Sequence, residues 1–335
     1  MNEVALLQSA RRGDEDAFAR LLVPYRAELH AHCYRMLGSV QDAEDAIQET
    51  LLRAWRGLGR FEGRSGLRSW LYRIATNACL RVIERRPQRV LPIDYGPPAD
   101  PHDGLAAPVT ESVWLEPYAD EEDGLAAPAA RYERRESIEL AFVAALQHLP
   151  ARQRAVLILR DVLGFSAREV AEALDSAPTA VDSALQRAHR SVEQRLPAQS
   201  QQATLRALGD ERLSQLVGNY VDAWERGDID AVVAMLAQDA RITMPPIPTW
   251  FSGRSAIAAF LSERVLNGNN SWRLVPVRAN GAPAFGQYIW DAAKGRLIPH
   301  GITVLTLRGA EIEQLTAFLT PAAFARFGLA DQPPG

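Results

Sequence analysis

The chain has 335 residues, an ordinary apolar fraction of 47% and a net charge of only −4, so two or three folded domains are expected and bulk charge gives no pointer to nucleic acid. No uninterrupted apolar run approaches the ~20 residues that span a bilayer, the start lacks a basic-then-apolar leader, and Cys33 and Cys79 supply no disulfide framework. A cytoplasmic protein that avoids membranes is expected.

Charge is uneven along the chain. Residues 64–89 hold seven Arg against one Glu, whereas 94–123 hold nine acids and neither Lys nor Arg. Such local asymmetry is the footprint of a nucleic-acid binder. Lys294 is the only lysine, which weakens any argument from the choice of Arg alone.

In chain order, Glu3 to Tyr25 reads as helical segments separated at Gly13-Asp14, a stop followed by an N-cap. A further helix runs from Glu28 to Leu37 and ends at Gly38. Asp42 to Trp55 is amphipathic: Ala43, Ala46, Ile47, Leu51, Ala54 and Trp55 recur at helical steps, and Asp42, Asp45, Glu49 and Arg53 occupy the charged face with Glu44 and Gln48 beside them. A glycine-broken turn from Phe61 to Ser65 leads into a basic aromatic helix from Leu67 to Asn77. His30, His32 and Cys33 share a helical pattern without a second ligand pair, so neither metal nor cofactor is expected.

Prolines from Pro87 to Pro128 then mark an acidic linker, in which Asp-Gly-Leu-Ala-Ala-Pro occurs at Asp103–Pro108 and again at Asp123–Pro128. Between the copies, Val113 to Tyr118 carries Trp114 and Tyr118. A disordered tether has no need of such aromatics, so this piece should pack on a neighbouring domain.

Helix resumes from Arg131 to His148. Further on, Ser166 and Glu169 form a capping box, and a turn at Asp175-Ser176 leads to a second helix from Pro178 to Leu196. Val170, Leu174, Val181 and Leu185 can fill the small core of a helix-turn-helix. Thr179, Asp182, Ser183, Gln186, Arg187 and Arg190 are left on its outer face, with side chains suited to the major groove and its phosphates. Gln199 to Ala207 reads as a polar connector. Beyond it, helical Leu213 to Trp224, Ile229 to Leu236 and Ala256 to Leu266, with strand-like runs at 272–277, 285–290, 297–307 and 312–319, indicate an α+β domain with a curved antiparallel sheet.

Asp42 to Trp55, with the following turn and basic aromatic helix, resembles region two of extracytoplasmic-function sigma factors. Leu149-Pro150-Ala151-Arg152-Gln153-Arg154-Ala155-Val156 ahead of the helix-turn-helix resembles region four; Asp175, where the family usually has Gly, tolerates the left-handed turn. Tyr220 to Asp228, followed by Asp239-Ala240-Arg241, is similar to the opening of the SnoaL-like cone fold, related to nuclear transport factor two. The resemblance implies a multidomain chain: all-α region two at 1–90, a linker at 91–130, all-α region four at 131–197, a connector at 198–209 and an α+β SnoaL-like domain at 210–330.

It further implies two partners, core RNA polymerase and promoter DNA. Asp42, Asp45, Gln48, Glu49, Leu52 and Trp55 would meet the polymerase. Phe61, Arg64, Ser65, Arg68, Trp70, Tyr72, Arg73, Asn77 and Arg81 would read and open the minus-ten element, and the helix-turn-helix face named above would grip the minus-thirty-five element. No catalytic residue is required. A fused cone domain implies modulation within the chain, with Trp224, Trp250, Tyr288, Trp290 and His300 as a candidate small-molecule pocket, although aromatics on such a sheet are more often core. Two alternatives stand beside this reading. A DNA-binding regulator that never joins polymerase would have no need of the acidic helix, and a fused isomerase or cyclase using His300 beside Asp222 shows no committed acid/base pair.

Overall fold

The computed structural model describes residues 2–63, 66–110, 113–120 and 137–334. It divides into two units, Met1–Arg89 with Phe142–Leu196 and Val90–Ala141 with Pro197–Gly335.

In the first unit, α1 (Glu3–Arg11), α2 (Glu15–Leu37), α3 (Val40–Gly57) and α4 (Leu67–Ile83) pack around a shared apolar core. Asp14 caps α2 by accepting the Ala17 N–H at 2.9 Å, as its place after Gly13 predicts. The break expected between Tyr25 and Glu28 is absent: α2 is one helix with Pro24 inside it. An interior proline costs about 3 kcal/mol, but Leu21, Leu22, Leu29, Cys33 and Tyr34 are buried on both sides of it, and this continuous stripe holds the halves in line.

The same unit contains α6 (Leu140–Gln147, from Phe142 on), α7 (Ala151–Leu157) with a wide turn at Ile158–Val162, α8 (Ala167–Ala173) and α9 (Pro178–Glu193). The expected helical stretch 131–136 lies outside the described residues. Ser166 and Glu169 complete the capping box, and Asp175 adopts φ +50°, the left-handed conformation its position requires. Val170, Leu174 and Val181 are buried between α8 and α9, while Leu185 is only partly so.

The second unit is a six-stranded sheet faced by helices: β1 (Leu236–Met244), β2 (Ile247–Ser252), β3 (Trp272–Ala279), β4 (Ala282–Asp291), β5 (Arg296–Arg308) and β6 (Glu311–Phe318), in the order β2-β1-β6-β5-β4-β3. It is mixed, because β1 runs parallel to β6. The hairpin β1–β2 was not expected from the sequence; a register shift between Leu236 and Arg241 breaks the alternation that would have marked β1. Helices α11 (Asp210–Glu225), α12 (Ile229–Ala234) and α13 (Arg254–Phe260) complete the unit, and Tyr220 stacks on Phe285 at 5.2 Å in its core.

Two stretches read as connecting chain are built into this unit. Gln201–Leu208 is a helix, α10, rather than a connector. Ser200 caps it, the Glu139 carboxylate accepts the Gln201 and Gln202 N–H groups at 3.0 and 2.7 Å, and Gln201 Oε1 accepts the Leu307 N–H at 2.8 Å. The proline-rich segment after Arg89 forms a short helix, α5 (Pro92–Tyr95), and then runs along β2. Trp114, Leu115 and Tyr118 are buried, and Tyr118 N–H donates to Asn280 Oδ1 at 2.9 Å. The second Asp-Gly-Leu-Ala-Ala-Pro copy lies outside the described residues.

Candidate functional site

On α3, Asp45, Gln48 and Leu52 are exposed, Leu52 at 53%. Glu49 pairs with Arg53 one turn on, and Trp55 is half-buried against Phe18 at 5.0 Å. Asp42 departs from the sequence reading. It is buried and ion-paired with Arg86 and with Arg89, the latter at 2.5 Å, so it anchors the end of the region-two helices instead of facing a partner.

The basic aromatic helix α4 also sorts its residues. Arg73 is exposed and Trp70 and Arg81 are half-buried, whereas Arg64 and Ser65 lie outside the described residues. Tyr72 was expected to stack on bases, but it is 1% exposed and belongs to the core: its ring meets His32 edge-on at 5.2 Å and its hydroxyl donates to Glu28 at 3.3 Å. Burial raises its phenol well above the usual range. Phe61 is buried against Trp70, centroids 4.9 Å apart, and its carbonyl accepts from Arg11, so its ring is packing rather than a free base platform.

The rest of the α4 face is covered by the helix-turn-helix. Arg68 lies over the rings of Tyr72 and Phe165, at 5.0 and 4.7 Å, and donates to the Leu163 carbonyl at 3.3 Å. Ser69 donates to Glu169 Oε1 at 3.0 Å, and Asn77 reaches the Ala173 carbonyl at 3.5 Å. Behind this contact, buried Arg154 donates to the Met36 and Gln147 carbonyls, and Gln147 donates to the Arg35 carbonyl at 3.1 Å. Burial lowers the Arg154 guanidinium to about 10, which leaves it charged at neutral pH.

On α9, Thr179, Asp182, Ser183, Gln186, Arg187 and Arg190 are all exposed on one face, while Val181, Ala188 and Val192 bury the opposite one. This periodicity brings the six predicted residues together as a single surface.

In the second unit, a cavity of about 220 Å³ is lined by Trp224 and His300, and also by Trp272, Phe260, Ile242 and Leu105, which were not predicted. Trp250, Tyr288 and Trp290 do not line it. The Trp250 Nε1–H donates to the Gly96 carbonyl at 2.8 Å, the Tyr288 hydroxyl donates to the Ala330 carbonyl at 2.8 Å, and Trp290 is exposed. His300 meets Trp272 edge-on at 5.1 Å, and burial holds its imidazole below the usual range. Asp222 is not part of the lining.

Residues 21–88 match Sigma-70 region 2, residues 139–191 match Sigma-70 region 4, and residues 217–315 match the SnoaL-like domain. The ECF RNA polymerase sigma factor SigG of Mycobacterium tuberculosis is 42% identical over 322 residues, covering 96% of this chain and 85% of SigG. The chain belongs to the ECF sigma factors. The ECF RNA polymerase sigma factor SigW of Bacillus subtilis is 38% identical to this sigma factor over 86 residues, 25% of this chain and 46% of SigW. The crystal structure of the M. tuberculosis extracytoplasmic function sigma factor SigJ shares the fold, with a TM-score of 0.59 at 23% identity over 91% of this chain and 97% of SigJ. No helix among the described residues is long and apolar enough to cross a membrane.

Proposed function

We propose that this sigma factor works in the cytoplasm by binding core RNA polymerase through α3, reading the minus-thirty-five element with α9 and opening the minus-ten element with α4, and that its SnoaL-like domain modulates these steps in cis. The observation that carries the reading is the exposed set Asp45, Gln48 and Leu52 on a helix packed against the basic α4. A repressor needs only the α9 surface and has no use for that second face. Arg68, Ser69 and Asn77 support a further step: region four covers them, so reading the minus-ten strand requires α8 to leave α4. Arg73 and Trp70 then complete a face that combines cation and ring, suited to an unpaired strand.

Binding rather than catalysis suits the cone domain. Among the described residues, its cavity has no carboxylate in its lining to pair with His300. The test is core-polymerase affinity of an Asp45→Arg/Gln48→Arg double variant. The expected result is a loss of at least tenfold with the fold and duplex binding intact. Unchanged affinity in the folded variant rules out α3 as the docking face.

A further inference from the structure

Among the described residues that line the cone-domain cavity, Leu105 alone comes from the linker rather than the cone. Three backbone N–H groups fix the segment after α5 along β2: Ala99 donates to the Trp250 carbonyl, Val109 to the Pro246 carbonyl and Ala106 to the Thr249 side-chain Oγ1, each at 2.9 Å. Arg264, beyond α13, donates to the Asp103 carbonyl at 2.9 Å, and His102 Nδ1 lies 2.9 Å from Glu263. Between these tethers Leu105 packs on the apolar core and lines the cavity. This strap belongs to the stretch of chain joining region two, which ends near Arg89, to region four. Whatever fixes the strap therefore acts on that connection.

The lining defines the ligand. Ile242, Met244, Ile247, Phe260 and Trp272 make it mainly apolar, and among the described residues no carboxylate contributes. Among the described residues Arg264 is its one charged side chain, exposed and engaged with the strap carbonyl. Burial keeps His300 uncharged at neutral pH. An ionised ligand would give up its hydration without a buried counter-charge. A dry apolar cavity of roughly 150 Å³ holds benzene, so about 220 Å³ suits a molecule of two fused rings.

We propose that this cavity binds an uncharged, largely apolar molecule of about two fused rings, and that occupancy clamps the strap in place by packing on Leu105. The proposal rests on the reading that the cone domain acts on the sigma regions in cis. A ligand that binds only the strapped state shifts the strap equilibrium roughly 100-fold at a hundred times its Kd.

The experiment uses the full chain, with 2-naphthol as the uncharged probe and 2-naphthoate as its ionised counterpart, and reads amide hydrogen exchange at Ala99, Ala106 and Val109. Saturating 2-naphthol should slow these amides at least tenfold, and 2-naphthoate should leave them unchanged. Leu105→Ala should still bind 2-naphthol but lose most of the slowing, and Ala317→Phe, which fills the cavity, should abolish binding. Should Ala317→Phe fail to fold, the wild type and Leu105→Ala decide the matter. Preference for 2-naphthoate overturns the ligand class, binding without slowing or with faster exchange overturns the clamp, and absence of binding overturns the site. None of these results depends on polymerase, so they are distinguishable from failure of the cis reading, which equal transcription by full and truncated chains would reveal.

Discussion

Asp42 and Asp45 are both acids on α3, yet they do different work. Asp42 is 3% exposed and pairs with Arg89, itself 7% exposed, so Asp42→Ala removes the carboxylate from a buried guanidinium and should cost about 3–5 kcal/mol in urea unfolding. Asp45→Ala, on the open face, should stay within about 0.5 kcal/mol. Equal stability of the two variants would place Asp42 on the surface after all. His32 supplies a pH-dependent residue: it is fully buried, its Nε2 lies 2.9 Å from Thr76 Oγ1, and burial lowers its pKa from 6.5 to about 3. The unfolded chain takes up the proton first, so this contribution is present above 6.5 and is lost as pH falls from 6.5 towards 3. Between pH 7 and 5 the loss attributable to His32 should be about 2 kcal/mol, and a His32→Gln variant should lack that component. If the variant shows the same pH-dependent loss, the imidazole is not held neutral in the fold.

At the scale of elements, α8 and the loop that leads into it pack on α4. Phe165 meets Tyr72 at 5.3 Å and Arg68 at 4.7 Å, and contacts of these kinds contribute about 0.5–1.5 kcal/mol each. Phe165→Ala should therefore shift the free protein towards the open arrangement and strengthen its binding to a single-stranded minus-ten oligonucleotide several-fold, as read by fluorescence anisotropy. Unchanged or weaker binding by the folded variant would mean that α8 does not gate α4. Little of this contact was legible in the sequence, because periodicity identifies the buried stripe of each helix but not which helix covers it. The α9 face was legible for the converse reason: its buried and exposed sides alternate with the helical period inside one element. Asp42 was misread because its partners Arg86 and Arg89 lie more than forty residues away. Trp250 and Tyr288 were misplaced because aromatic composition does not reveal which face of a strand meets the cavity, and β1 was missed where its register slips.

At the scale of the whole molecule, the linker is not a free tether: residues 90–141 belong to the unit of the cone domain. Its strap lies along β2, and Glu139, just before α6, caps α10 of the second unit. The cone domain thus holds both described ends of the chain that joins region two to region four, which is a physical route to modulation in cis. A chain ending at Leu196 loses both anchors while keeping every element of the first unit. Run-off transcription with purified core polymerase on a cognate promoter, comparing the full chain with the chain ending at Leu196, tests this directly. The predicted result is a promoter-dependent transcript with both proteins and a difference of at least several-fold between them; no transcript above core polymerase alone, or equal transcription by the two chains across salt concentrations, would contradict it.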